Sequence, residues 1–176
     1  FFQAHNNLGN LEKEESNWTK ALTHYQNANR LAPQDPSVSN NLGLAYSALG
    51  YLDEAITTLK AAILVSSRSA HLYSNLGRVL HKAGQDLDAI EALHKAIQIN
   101  PHIDDAYNNL GLIFLSKENW AVAGDWLLKG LKINSRSPAL LVNYATVLKK
   151  TNRFDEALAA YSKALEIQPD SADFYF

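Results

Sequence analysis

Apolar residues recur along this chain at helical spacing, in stretches of about 14 residues separated by short polar or glycine breaks. The stretches come in pairs, so the pattern predicts two antiparallel helices per unit and no other element. First helices are expected over 2–15, 36–49, 70–83, 104–117 and 138–151. Second helices are expected over 18–31, 52–65, 86–99, 120–133 and 154–167.

The units share one period. Gly9, Gly43, Gly77, Gly111 and Ala145 stand 34 residues apart, each preceded by Leu8, Leu42, Leu76, Leu110 or Tyr144. Twelve residues later comes an alanine: Ala21, Ala55, Ala89, Ala123 and Ala157. Three more columns keep register: Tyr25, Leu59, Leu93, Leu127 and Tyr161; Ala28, Ala62, Ala96, Gly130 and Ala164; Pro33, Ser67, Pro101, Ser135 and Pro169. Small columns on both helices let paired backbones approach while their bulky neighbours interdigitate.

Punctuation agrees with the period. Asp35-Pro36 and Ser137-Pro138 place a capping side chain before a proline at the first helical position, and Asn100-Pro101 closes a preceding helix. Gly50 and Gly84 mark turns inside two units; Ser16-Asn17, Glu118-Asn119 and Asn152-Arg153 serve in the others. Asn17 and Asn119 are expected to cap the helices opened by Trp18 and Trp120.

These columns resemble the tetratricopeptide signature over residues 2 to 171. The resemblance implies an all-α, right-handed α-solenoid of five 34-residue units: 2–35, 36–69, 70–103, 104–137 and 138–171. One array over 1–176 is expected, with 172–176 opening a sixth unit, since Tyr175 falls in the column of Tyr73 and Tyr107. His5 and Ser39 replace the large leading residue, Glu12 sits in an aromatic column, Ala145 replaces glycine, and Ser67 and Ser135 replace proline. Aromatic residues at both ends, Phe1-Phe2 and Phe174-Tyr175-Phe176, suggest continuation in both directions and end-to-end self-association.

In solenoids of this kind the first helices line the concave surface. There, asparagine occupies the position two before the glycine column in every unit: Asn7, Asn41, Asn75, Asn109 and Asn143. A carboxamide offers one acceptor and two donors, so a ladder of them can grip an extended peptide by its backbone; the alternative is an inherited, locally bonded asparagine. The pattern is similar to the asparagine ladder of the enzymes that attach N-acetylglucosamine to serine and threonine, implying an arm whose catalytic domain lies outside this chain. Neighbouring columns add Asn6, Asn40, Ser74 and Asn108, then Asn10 and Arg78, then Lys13, His81 and Lys149, then Lys82 and Lys150. Only Glu14 and Asp105 oppose them, so the groove favours a segment carrying carboxylates; the bland alternative is lysines that keep a helix face solvated. The cation clamp with which similar repeats hold acidic chaperone C-termini is absent, because Asn6, His71 and Asn75 stand where its cations would be.

Composition narrows the remaining classes. The 176 residues are 47% apolar and 19% charged, enough to bury a core. Sixteen basic against 18 acidic residues leave a net charge of −2, no footprint for nucleic acid or an anionic membrane as the main partner. Without cysteine there is neither disulfide nor thiolate chemistry, and the compartment stays open, with the cytoplasm favoured. The histidines His5, His24, His71, His81, His94 and His102 show no i, i+4 pair and no HExxH pattern, and no glycine-rich phosphate loop occurs. Asp53-Glu54, Asp104-Asp105 and Asp155-Glu156 belong at helix starts. Trp18, Trp120 and Trp126 are expected in second-helix packing. The expected function is a non-enzymatic scaffold, without cofactor or metal, that binds a protein or peptide segment; homotypic assembly is the other non-catalytic option.

Overall fold

The computed structural model describes residues 1–169. Ten helices follow one another: α1 (Phe2–Glu14), α2 (Trp18–Leu31), α3 (Pro36–Ala48), α4 (Leu52–Val65), α5 (Ala70–Lys82), α6 (Asp86–Ile99), α7 (Asp104–Ser116), α8 (Trp120–Ile133), α9 (Pro138–Lys150) and α10 (Phe154–Ile167). No strand occurs among the described residues. They form two compact units, residues 1–99 with α1–α6 and the part beginning at Asn100 with α7–α10. The sixth-unit opening expected at 172–176 lies outside the described residues.

Second helices take the expected bounds, and each first helix ends one residue earlier than its apolar pattern suggests. The reason is a left-handed residue at one position of every hairpin turn. Ser16, Gly50, Gly84, Glu118 and Asn152 have φ of 61°, 86°, 76°, 55° and 60°. The following amide reaches back five residues, from Asn17, Tyr51, Gln85, Asn119 and Arg153 to the carbonyls of Glu12, Tyr46, Leu80, Phe114 and Leu148, at 2.8–2.9 Å. This Schellman closure satisfies the helix's last carbonyls and turns the chain.

N-caps follow the punctuation. Asp35 Oδ1 accepts from the amides of Ser37 (2.9 Å) and Val38 (3.0 Å), Ser137 Oγ from Leu140, and Asn119 Oδ1 from Val122. Asn17 departs from expectation: it caps nothing, and its Nδ2 donates instead to Glu15 Oε2 at 3.2 Å. That bond holds the carboxamide on the Glu15 carboxylate instead of on the α2 amides.

In the first four hairpins the glycine column is sterically required. A Cβ on Gly9 would lie 2.5 Å from the Tyr25 ring, on Gly43 2.8 Å from Leu59, and on Gly77 and Gly111 2.6 Å from Leu93 and Leu127. Tyr25, Leu59, Leu93 and Leu127 are consequently fully buried. Neighbouring hairpins interlock through Ala21, Tyr25, Leu42 and Ala45 in the first unit, with Trp18 against them. In the second unit Ala123, Leu127, Leu140 and Val147 do the same beside Trp120 and Tyr144.

Candidate functional site

Asn41, Asn75 and Asn143 sit on the first helices α3, α5 and α9, and each bonds back to the preceding hairpin of its own unit. In the first unit, Asn41 Nδ2 donates to Asn6 Oδ1 at 3.0 Å and to Asn10 Oδ1 at 3.3 Å, and Asn75 Nδ2 donates to Asn40 Oδ1 at 2.8 Å. In the second unit Asn143 Nδ2 donates to Asn108 Oδ1 at 2.8 Å. The donor and its principal acceptor are 35 residues apart in all three cases, one more than the repeat, because the acceptor column precedes the ladder column by one residue. Asn7 is exposed and Asn109 is buried.

Each step therefore spends one amide group on joining hairpins. What remains, in the pairs Asn40/Asn75 and Asn108/Asn143, is the carbonyl oxygen and the second N–H of the ladder residue and the NH2 of its acceptor. Asn41 uses both amide protons and retains its oxygen. Asn10 is held twice, since Tyr25 Oη also donates to its Oδ1 at 2.9 Å. Burial, with Glu14 nearby adding charge repulsion, pushes the Tyr25 phenol up to about 12, so the hydroxyl stays a donor across the ordinary pH range. Asn40 and Asn41 line an open cavity of about 390 Å³ together with Pro36, Ser66, Ser69, His71 and Leu72.

The basic columns divide. Lys82 Nζ donates to the Ser47 carbonyl in the last turn of α3, where a cation complements the negative helix end. His81 Nδ1 meets Asp86 Oδ1 at 2.6 Å across its own hairpin turn. The Lys150 ammonium lies 5.6 Å from the Trp120 ring centroid. Arg78 and Lys149 are exposed on α5 and α9. Of the residues singled out in sequence, Asn6, Asn10, Asn40, Asn41, Asn75, Asn108 and Asn143 are thus brought together within their units, whereas His81 and Lys82 are engaged by the fold itself.

The remaining chemistry-bearing groups sit where helix physics puts them. Asp53 and Glu54, Asp104 and Asp105, and Asp155 and Glu156 occupy the first turns of α4, α7 and α10. Trp126 packs on Tyr107 with ring centroids 6.1 Å apart and carries Lys129 Nζ 4.1 Å over its face. Among the described residues no helix is long and apolar enough to cross a membrane. One juxtaposition was invisible in local spacing: His5 and His24, 19 residues apart, bring their Nδ1 atoms to 3.4 Å.

The geometry can be set beside known proteins. A model described as TPR repeat matches residues 9–50, 43–84, 77–118 and 145–176. No curated protein matches the sequence significantly. Among solved structures, a thermophilic TPR protein of Thermus thermophilus is similar at 25% identity with a TM-score of 0.89, over 99% of this chain and 95% of that one. Pseudomonas aeruginosa PilF is similar in fold, with 22% identity, a TM-score of 0.81, and coverage of 98% and 79% of the respective chains. YrrB, a TPR protein described as having an unusual peptide-binding site, aligns with 22% identity and a TM-score of 0.60 over 94% of this chain and 86% of that chain. TPR proteins act as protein-interaction scaffolds, and the fold neighbours are generally non-catalytic. With matched segments covering most of its length and hairpins of the corresponding geometry, this chain belongs to the TPR-repeat family.

Proposed function

We infer that the first-helix face binds an extended peptide segment by its backbone, through asparagine pairs rather than single asparagines. One observation carries this reading: each inter-hairpin bond leaves a carbonyl and an NH2 on adjacent amides, at Asn75 with Asn40 and at Asn143 with Asn108. A peptide group carries the complementary C=O and N–H, so it can close a cyclic pair of hydrogen bonds with each step, whatever its side chains are. The inter-hairpin bond holds both amides in place before the peptide arrives, which lowers the entropy cost of binding.

Arg78 and Lys149 flank the asparagine columns and favour a segment bearing carboxylates, chiefly by steering its approach. The engagement of His81 and Lys82 within the fold leaves that preference modest. The ladder also supports the reading of these hairpins as the recruiting arm of an N-acetylglucosamine-transferring enzyme, which a transferase domain in the same gene product would establish.

The experiment is selection from a displayed peptide library on the purified chain, repeated with Asn41→Ala/Asn75→Ala. Enriched peptides are expected to lose about tenfold or more in affinity in the double variant, while far-ultraviolet circular dichroism stays unchanged. Equal affinity in the two proteins removes the ladder from the binding account.

A second reading has its own observation. On α1, Leu8 and Leu11 are 45% and 58% exposed, although Leu42, Leu76 and Leu110 in the column of Leu8 are buried. This face supports association of copies through α1. Sedimentation that stays monomeric up to high concentration, or is unaltered by Leu11→Glu, rejects it.

A further inference from the structure

The ladder reading does not use the two histidines of the first hairpin, which converge across it. His5 on α1 and His24 on α2 face each other Nδ1 to Nδ1 at 3.4 Å, with ring centroids 5.7 Å apart and planes inclined by 34°. As a hydrogen bond this contact is long, beyond the common range for a ring nitrogen donor. The distance matches the bite of a chelate, although the 5.7 Å centroid separation places the two Nδ1 atoms nearly on the line between the rings, so each ring must turn slightly to aim its lone pair at a shared ion. Two nitrogen ligands on a tetrahedral ion, with bonds of about 2.0–2.1 Å, lie roughly 3.3–3.4 Å apart. Both rings are half-buried. The two helices pack tightly beside the pair: Gly9 lies one turn beyond His5, Tyr25 follows His24, and a Cβ on Gly9 would lie 2.5 Å from the Tyr25 ring.

We propose that His5 and His24 form a two-imidazole site for a borderline divalent first-row ion, Cu²⁺, Ni²⁺ or Zn²⁺, with water completing its coordination. Imidazole nitrogen suits these ions, whereas Mg²⁺ and Ca²⁺ seek oxygen ligands. No group of three His, Cys, Asp or Glu side chains converges among the described residues. The site is therefore an exchangeable one and does not resemble a closed four-ligand structural zinc centre. The bound ion joins α1 to α2 by two coordinate bonds that the unfolded chain cannot make at that spacing, and so stabilises the first hairpin.

The test uses the full chain and NiCl2 or ZnCl2 near neutral pH, where ligation needs both imidazoles unprotonated. At about ten times the dissociation constant, the melting temperature is expected to rise by about 3–6 °C, and chelation by EDTA should reverse the rise. MgCl2 should give no rise. His24→Asn and His5→Asn should each abolish the effect, and His102→Asn, a change at an exposed histidine before α7, should retain it. An unshifted wild type, or a His24→Asn protein that shifts as much as wild type, overturns the proposal. Electron paramagnetic resonance of the Cu²⁺-loaded wild type supplies a readout independent of variant folding: two equatorial nitrogens support the site, and one or none refutes it. If the pair is only a hydrogen bond between neutral imidazoles, metal has no effect and the two single variants are merely less stable.

Discussion

Glu12 occupies the column that Tyr46, Leu80, Phe114 and Leu148 fill in the other hairpins, and its Oε2 is buried without a hydrogen-bond partner, 3.8 Å from Lys20 Nζ. An apolar side chain there restores the column and removes an unsatisfied oxygen, so Glu12→Leu should raise stability by about 1 kcal/mol in a thermal melt. The turn column makes a second prediction. Ser16 and Glu118 hold the left-handed conformation that Gly50 and Gly84 adopt without steric cost. Glu118→Gly should therefore stabilise by up to about 1 kcal/mol, and Gly84→Ala should destabilise by a similar amount, both read from denaturant midpoints. Tyr25 makes a third. Its folded-state value of about 12 lies above the ordinary 10, so its contribution is intact below pH 10 and is lost as pH rises from 10 toward 12. Wild type should lose on the order of 2 kcal/mol over that interval, and Tyr25→Phe should show a shallower decline. At the exposed Arg153–Glu156 pair, with bonds of 2.6 and 2.7 Å, the arginine hydrogen bond holds the Glu156 carboxyl below its usual range. Its small contribution is present at neutral pH and is lost on acidification through that lowered value.

At the scale of the element, the hairpin's closest approach decides more than helix propensity does. Gly→Ala in a helix interior ordinarily gains close to 1 kcal/mol. At Gly77 the added Cβ would meet Leu93 Cγ at 2.6 Å and the Ala89 carbonyl at 3.1 Å, and the carbonyl belongs to a helix that cannot move alone. Overpacking wins, and Gly77→Ala is expected to cost about 1–3 kcal/mol in chemical unfolding. Leu59, Leu93 and Leu127 are buried by the same contact, so the glycine column, the large column opposite it and the alanines flanking that column were all readable as packing from their shared period. The turn positions were readable too, but not the left-handed conformation of Ser16, Glu118 and Asn152, which are not glycine and whose φ accompanies the local Schellman bonds to Glu12, Phe114 and Leu148. Asn17 failed as a cap for a related reason, since a competing carboxylate at Glu15 lies within 3.2 Å.

For the whole molecule, stability is expected to be the sum of hairpins and the interfaces between neighbours, unit by unit. In the first unit, α3 is packed against both α2 and α4, whereas α1 leaves Leu8 and Leu11 exposed. Native-state hydrogen exchange should therefore protect α3 amides more than α1 amides, with α1 opening at a lower free energy. The sequence by itself determined the fold class, the helix bounds to within a residue, the five turns and the face that carries the asparagines, because a strict 34-residue period states the same local physics five times over. Only tertiary structure decided how the polar side chains are spent. Asn41, Asn75 and Asn143 bond to residues 35 positions back, Lys82 reaches a carbonyl in the preceding hairpin, and His5 meets His24 across the first. Apolar periodicity specifies which side of a helix is covered, since burial depends on area and not on direction. Hydrogen bonds and ligand geometry depend on distance and angle between groups that become neighbours only after the hairpins have packed.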